Sequence, residues 1–267
     1  MDSLHGDLVA AEQFHDGLIA QWWSQSEGGP EIERFRRTIE RSGQPVLDAG
    51  CGSGRLLIPY LQAGLDVDGC DRSAGMIEVC ADRLSAAGIT TNLYTRAMHE
   101  LDLPRRYQTI IVVGTFGIGT SRSEDAESLE RLRAHLLPGG TLALDIELPW
   151  TNGWAWSAWA KPPARPQRWR LPIQRQLPDG SVLQLRTRTR SFDPIDQSRT
   201  SDVRARLLRD GQLVREELRE QRIRWYLPAE LALMLERAGF RDVRMTGDDT
   251  EKPPTAKSEV VLFEATA

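Results

Sequence analysis

The chain has 267 residues, enough for one large domain or for a core domain that carries an insert. Hydrophobic residues make up 40% and charged residues 27%, which excludes a mainly disordered chain, and no apolar run approaches the roughly 18 residues that cross a bilayer. The formal net charge of −4 argues against a protein that coats nucleic acid. However, residues 161–224 carry +8 and the remainder carries −12, which indicates two parts with different roles.

Two features predict a cytoplasmic protein. The N-terminus, MDSLHGDLVAAEQFHDGL, lacks the basic-then-apolar order of a secretion signal. The three cysteines form no Cys-x-x-Cys pair and fit buried, reduced thiols.

The N-terminal region predicts helices, because apolar residues from Leu8 to Trp22 recur at three- or four-residue spacing and the pattern resumes after Gly28-Gly29-Pro30. Apolar segments that alternate with helical patterns follow. Strands are predicted at 45–49, 66–71, 91–98, 109–113 and 141–146. This alternation predicts a parallel α/β sheet.

The periodicity changes between Trp150 and Trp225, where apolar and polar residues alternate with period two. Turn signals at 178–180, 193–194 and 210–211 divide this region into an antiparallel meander with one polar face. Helical spacing returns at 228–238, and a last strand is predicted at 259–265.

The glycine-rich turn Gly50-Cys51-Gly52-Ser53-Gly54 after the first strand predicts a ligand site on bare backbone. A dinucleotide fingerprint requires G-x-G-x-x-G, whereas here the third glycine comes one residue early and Arg55 stands in its place. Asp48, two residues before the turn, suits an ammonium group better than a pyrophosphate. Asp71, at the end of the second strand, can accept the hydroxyls of a ribose.

On these residues the chain resembles the class I S-adenosylmethionine-dependent methyltransferases. The resemblance runs through LDAGCGSGR (47–55), VDGCDRS (67–73), RAMHELDLP (96–104), QTIIVVGTFG (108–117), LLPGGTLALDIE (136–147) and PAELALMLERAGFRDV (228–243). It implies S-adenosylmethionine as cofactor, S-adenosylhomocysteine as product, and a small-molecule acceptor methylated at N, O or C by in-line displacement.

The resemblance also implies a set of cofactor contacts. The glycines would approach the methionine end, Asp48 its amino group and Asp71 the ribose, while residues after the third strand would flank the adenine. The full predicted set is Asp48, Gly50, Cys51, Gly52, Gly54, Asp71, Arg72, Met76, Ala97, Met98, His99, Gly114 and Trp23. Many family members carry an Asp where Ala97 stands, so this chain lacks that adenine contact.

Sequence rarely reveals a catalytic residue in this class, because a sulfonium is already activated and a base is needed only when the nucleophile must lose a proton. The candidates are His99, Glu147 and His15. Of the two carboxylates at the end of the fifth strand, Asp145 and Glu147, one is expected to point into the crevice, and Glu147 lies nearer the carboxyl end. No His/Asp/Glu cluster has metal-ligand spacing, so no metal is predicted.

We therefore predict a Rossmann-like α/β fold, with a seven-stranded, mostly parallel sheet, helices on both faces and an antiparallel β insert after the fifth strand. The predicted units are an N-terminal helical lid (1–44), a cofactor-binding core (45–149 and 226–267) and the insert (150–225), which would shape the acceptor site or a dimer contact. The protein would be a monomer or homodimer, with no membrane partner.

Two alternatives stay open at this point. The Arg-rich insert would suit an RNA or protein methyltransferase, although interleaved glutamates and sparse aromatic residues argue against nucleic acid. The second alternative is a subunit that binds S-adenosylmethionine but does not catalyse methyl transfer. The glycine spacing disfavours a nicotinamide enzyme.

Overall fold

The computed structural model describes residues 14–151, 153–248 and 250–267, without the side chains of residues 153–156. Its helices are α1 (Gly17–Ser24), α2 (Pro30–Ser42), α3 (Leu57–Gln62), α4 (Ala74–Ala86), α5 (Arg122–Ala134), α6 (Gly153–Ala160) and α7 (Pro228–Arg237). Its strands are β1 (Val46–Ala49), β2 (Val67–Asp71), β3 (Leu93–Thr95), β4 (Tyr107–Val112), β5 (Leu136–Glu147), β6 (Ile173–Gln176), β7 (Val182–Asp193), β8 (Ser198–Arg209), β9 (Gln212–Arg224), β10 (Arg241–Gly247) and β11 (Val260–Thr266). The part of the first predicted helix that starts at Leu8 lies outside the described residues.

The central sheet has seven strands in the order β10-β11-β5-β4-β1-β2-β3. All its pairs are parallel except those that β11 makes with β10 and β5. The predicted seven-stranded, mostly parallel sheet is therefore confirmed. The strand order reverses between β1 and β4, and in open α/β sheets such a reversal leaves a crevice at the carboxyl ends of the strands.

Helices cover both faces of this sheet, because β5 supplies apolar side chains to each. Leu142 and Leu144 pack in one core cluster together with Leu231 of α7, whereas Ala143 packs in the opposite cluster with Phe35 of α2. Successive residues of a strand point to opposite faces, so a continuous apolar run is the pattern expected for a strand buried on both sides.

The insert is a separate antiparallel sheet in the order β6-β7-β8-β9, as the period-two alternation predicted. Its inner face carries Leu183, Leu185 and Val203, which pack against Leu18 and Trp22 of α1. The first described helix is thus an integral partner of the insert.

The outer face of the insert carries the arginines, and these are paired with acidic residues on neighbouring strands. Arg188 Nε lies 2.7 Å from Asp202 Oδ2, and Arg190 binds both Asp202 and Glu220. Cross-strand pairing of this kind neutralises part of the positive charge of the insert.

Among the described residues, no helix is long and apolar enough to cross a membrane.

Candidate functional site

A cavity of about 350 Å³ opens at the carboxyl ends of β1, β2, β4 and β5, where the strand order reverses. The segment around α1 covers one side of it, and the end of β9 covers another. The residues predicted from sequence that line it are His15, Trp23, Asp48, Gly50, Cys51, Gly52, Asp71, Arg72, Met76, Gly114 and Glu147.

The glycines of the loop after β1 are required by backbone conformation and by close packing. Gly50, Gly52 and Gly54 all have positive φ, at 85°, 54° and 82°. A Cβ at Gly50 would lie 2.5 Å from a methyl carbon of Thr115, and one at Gly54 would lie 2.8 Å from Cys80 Sγ. Gly50 therefore permits close approach at the cavity, whereas Gly54 permits the loop to pack on α4.

The backbone N–H groups of this loop bind partners within the protein. The N–H groups of Gly50 and Cys51 both donate to the Cys70 carbonyl oxygen, at 2.7 and 2.9 Å, and that of Gly54 donates to the Cys51 carbonyl at 3.0 Å. The Gly52 N–H donates to Asp71 Oδ2 at 3.0 Å. A phosphate cradle requires such groups to point at the ligand, so this loop is not arranged to hold a pyrophosphate.

Asp48 presents a buried carboxylate with an unused oxygen. The residue is only 2% exposed, and among the described residues its Oδ2 has no hydrogen-bond partner. Burial, and secondarily the nearby charge of Asp71, raises the pKa of Asp48 to about 7. A buried carboxylate that lines a cavity and lacks a partner is suited to bind a cation.

Asp71, at the end of β2, is held in place by two backbone donors. The Gly52 N–H contacts Oδ2 as above, and the Ser73 N–H donates to Oδ1 at 2.9 Å. Burial raises the pKa of Asp71, and these two hydrogen bonds oppose that rise. A carboxylate oxygen has further lone pairs, so the side chain can still accept hydrogen bonds from a ligand in the cavity.

A second, smaller cavity of about 40 Å³ adjoins the first and shares Gly50, Asp71 and Arg72 with it. Ala97 and Met98, predicted to flank an adenine, line this smaller cavity. The two cavities together form one elongated site that passes across the glycine loop and Asp71.

Both carboxylates at the end of β5 line the large cavity, rather than one alone. The reason is that positions 145 and 147 are two apart in a strand and project to the same face. Asp145 is buried and accepts a hydrogen bond from the Gly114 N–H at 2.6 Å, and its Oδ2 lies 3.6 Å from an Arg34 nitrogen. Burial raises the pKa of Asp145 to about 6, whereas Glu147 is exposed at the rim.

His15 and Trp23 line the cavity from either end of α1. Burial, with a smaller effect from the charge of Arg72, lowers the pKa of His15 to about 4, so its ring is neutral at physiological pH. Trp23 is 38% exposed.

Two predicted site residues lie outside both linings. Gly54 packs against α4, as described. His99 points toward α5, where its Nε2 lies 3.6 Å from Glu124 Oε1. The catalytic roles assigned to His15, His99 and Glu147 stay predictions.

The residues that sequence reasoning missed come mainly from the insert and from the segment after β4. The cavity is also lined by Gln221, Ile223, Arg224, Trp225 and Tyr226, and by Thr115, Phe116 and Ile118. The two sets meet because the Gly119 N–H donates to the Arg222 carbonyl and the Arg224 N–H to the Gly117 carbonyl, both at 2.8 Å. Residues 113–118 follow a parallel strand of the core, and this position could have predicted that they line the cavity. The end of β9 belongs to the antiparallel insert, and nothing in its sequence indicated that it lies at the cavity.

Within the described parts of the chain, no group of three or more His, Cys, Asp or Glu side chains is placed to hold a metal ion. The absence of a metal stays a prediction.

The sheet order and the position of the cavity define the fold class as that of S-adenosylmethionine-dependent methyltransferases. The CcbJ methyltransferase of Streptomyces caelestis superposes with a TM-score of 0.71 at 22% identity, over 96% of this chain and 98% of that one. A sugar N-methyltransferase from a Streptoalloteichus species superposes with a TM-score of 0.70 at 16% identity, over 100% and 96% of the two chains.

Residues 46–140 match the family model described as a methyltransferase domain, which confirms the resemblance predicted from sequence. The ubiquinone biosynthesis O-methyltransferase of Nitrobacter winogradskyi is 26% identical over 114 residues, which are 42% of each chain. The chain spans about half the length, or less, of the curated relatives it matches.

Proposed function

We propose that the protein transfers a methyl group from S-adenosylmethionine to a small-molecule acceptor and releases S-adenosylhomocysteine. The observation that carries this proposal is the buried carboxylate of Asp48, whose Oδ2 has no partner among the described residues, beside a loop whose three glycine N–H groups already donate within the protein. A nucleoside that ends in an ammonium-bearing amino acid satisfies this arrangement, and a dinucleotide does not.

The residues of the site then bind and align. Asp48 would bind the amino group, Asp71 the ribose hydroxyls, and the smaller cavity beside Ala97 and Met98 the adenine. The cofactor would supply there a methyl group on a positively charged sulfonium, for in-line transfer to the acceptor's nucleophile with S-adenosylhomocysteine as the leaving group. The protein's work is to orient the two molecules and to exclude water, and the apolar rings of Trp23 and Trp225 line the cavity where this would occur.

The acidic end of β5 favours an amine as the acceptor. Asp145 is bonded to Gly114 and lies beside Arg34, whereas the carboxylate of Glu147 is exposed and interacts electrostatically with Arg199 and Asp145. An exposed carboxylate that lines the cavity can bind an ammonium and can receive the proton that an amine must lose before its nitrogen attacks.

An acceptor panel tests this function. Release of S-adenosylhomocysteine would be measured with amines, each paired with the alcohol of the same skeleton, for example an amino sugar and its parent sugar. Turnover confined to the amines, with kcat/KM reduced at least tenfold by Glu147→Gln, is the expected result. Turnover of the alcohols alone would contradict the amine assignment, and tight cofactor binding without any turnover would favour a non-catalytic subunit.

The ion pairs of Arg188, Arg190 and Arg206 with carboxylates of neighbouring strands support a small-molecule acceptor over RNA, because they neutralise part of the positive charge of the insert. The cytoplasmic location, the monomeric or homodimeric state and the role of the insert in forming the acceptor site stay predictions.

A further inference from the structure

The proposed cofactor carries two opposite charges at its amino-acid end, and Asp48 accounts for only one of them. The ammonium can bind the Asp48 carboxylate, but the neighbouring α-carboxylate of the same ligand also enters the cavity. A buried carboxylate needs a cation or several hydrogen-bond donors, since leaving it unpaired is costly. The question, which rests on the proposed function, is which group of this chain supplies them.

The three glycine N–H groups of the loop after β1 are not available to bind this carboxylate. The N–H groups of Gly50, Gly52 and Gly54 donate to Cys70, Asp71 and Cys51, as described above. The Ser53 hydroxyl is also engaged, since it donates to the Trp23 carbonyl oxygen at 2.9 Å and lies 3.2 Å from an Arg83 nitrogen.

Two of the three arginines that line the large cavity are bound elsewhere. Arg72 donates to the Gly119 carbonyl at 2.9 Å and also lines the smaller cavity, on the side away from the amino-acid end. Arg224 is 2% exposed at its side chain and is bound to Asp125 and Asp196.

Arg55 is the remaining arginine, and it directly follows the glycine loop. It lines the large cavity and has a half-buried side chain, 26% exposed, whose burial lowers its pKa. Asp48 lines the same cavity, so the two opposite charges are available to one ligand. Arg55 also pairs with Glu31, at the start of α2, and Glu31 accepts the Gly29 N–H at 3.0 Å.

We propose that Arg55 binds the α-carboxylate of the cofactor, so that Asp48 and Arg55 together recognise its zwitterionic amino-acid end. A guanidinium has five N–H donors in a rigid plane, so it can remain paired with Glu31 on one edge while it binds a second carboxylate on another. Glu31 then acts as a positioning residue that fixes the plane of the guanidinium. The position where a dinucleotide fingerprint requires glycine is here a residue that selects a different ligand.

Calorimetric titration of the full chain with two ligands tests this proposal. One ligand is S-adenosylhomocysteine, and the other is its decarboxylated analogue, which keeps the ammonium but lacks the α-carboxylate. The wild type is expected to bind S-adenosylhomocysteine at least tenfold more tightly than the analogue. Arg55→Gln is expected to weaken S-adenosylhomocysteine at least tenfold and to leave the analogue within about twofold, so that the preference disappears.

Matched variants keep the outcomes distinct. Asp48→Asn should weaken both ligands, because both carry the ammonium, and Arg36→Gln on the exposed face of α2 should weaken neither. Equal affinity of the wild type for the two ligands, or an equal loss of both in Arg55→Gln, would overturn the role of Arg55. If Arg55→Gln does not fold, Arg55→Lys, which keeps the charge but not the planar fork, should narrow the preference. Failure of the wild type to bind either ligand would instead refute the proposed function.

Discussion

Asp48 and Asp68 are two aspartates, each 2% exposed, on adjacent strands of one sheet, and they differ in their partners. Asp68 accepts hydrogen bonds from the Tyr107 hydroxyl and from the Asn92 amide, both at 3.0 Å, whereas the Oδ2 of Asp48 has no partner among the described residues. A buried carboxylate with partners contributes to structure, and one without them is an uncompensated cost that a ligand can relieve. This difference, at the scale of single residues, is the basis of the cofactor assignment.

We predict that Asp48→Asn weakens cofactor binding and stabilises the ligand-free protein. The folded-state pKa of Asp48, about 7, lies above its unfolded value of 3.8, so the folded state holds the proton more tightly and loses stability as the pH rises from 4 to 7. Removing the charge should therefore raise the unfolding free energy by up to about 4 kcal/mol above pH 7. Denaturant titration measures this. Asp68→Asn is the control and should destabilise the protein, and a destabilised Asp48→Asn variant would contradict the prediction.

The affinity for S-adenosylhomocysteine should decrease as the pH is lowered, because only the ionised form of Asp48 binds the ammonium. With a ligand-free pKa of about 7, the dissociation constant should rise about tenfold between pH 8 and pH 6. Titration at several pH values checks this. 5′-Methylthioadenosine, which lacks the amino-acid end, should show no such dependence, and a slope that persists in Asp48→Asn would mean that another group titrates.

At the scale of elements, the loop between β1 and α3 can pack on α4 because Gly54 has no side chain at the point of contact. Gly54 and Gly64 have nearly equal φ, 82° and 80°, so alanine is equally strained at both. A Cβ at Gly54 would lie 2.8 Å from Cys80 Sγ and 3.0 Å from Ile58 Cδ1, whereas nothing lies within 4 Å of one at Gly64.

Gly54→Ala should therefore cost about 1–3 kcal/mol more than Gly64→Ala, because the added methyl group overpacks the interface with α4. Thermal unfolding of the two variants isolates the packing cost, since backbone strain is common to both. Equal destabilisation would mean that α4 moves aside without cost.

The elements of the core could be predicted from sequence because their signals are local. The apolar run of β4 and the loop that begins at Gly50 each dictate their own conformation. Asp48 and Asp71 could be assigned to the site because each lies near the carboxyl end of a predicted parallel strand. Residues such as Gln221 and Trp225 could not be predicted to line the cavity. They lie more than 100 residues from Gly117, and only the pairing of β9 with the segment after β4 brings them there.

At the scale of the whole molecule, Arg224 joins the insert to the core. Its guanidinium lies 2.9 Å from Asp196 of the insert and 3.4 Å from Asp125 of α5, and it donates to the Thr120 carbonyl at 2.8 Å. The Tyr226 hydroxyl also donates to Asp125, at 2.7 Å. This buried network fixes the orientation of the insert relative to the cavity.

Arg224→Met should destabilise the protein by about 3–5 kcal/mol, because it leaves a buried carboxylate without its cation. Arg222→Met is the matched control, since Arg222 also binds Asp196 but is 42% exposed at its side chain, and its loss should cost less than about 1 kcal/mol. Urea unfolding of both variants provides the comparison. Similar losses in the two would show that the network does not hold the insert to the core.

The most direct test of the account is calorimetric titration of the wild-type chain with S-adenosylhomocysteine and, separately, with NAD. Asp48 offers an ammonium site, and the three glycine N–H groups of the loop donate within the protein, so we predict micromolar binding of S-adenosylhomocysteine and no heat with NAD. Folded protein that binds NAD, or that fails to bind S-adenosylhomocysteine, would contradict the central claim that this cavity is a methyl-donor site.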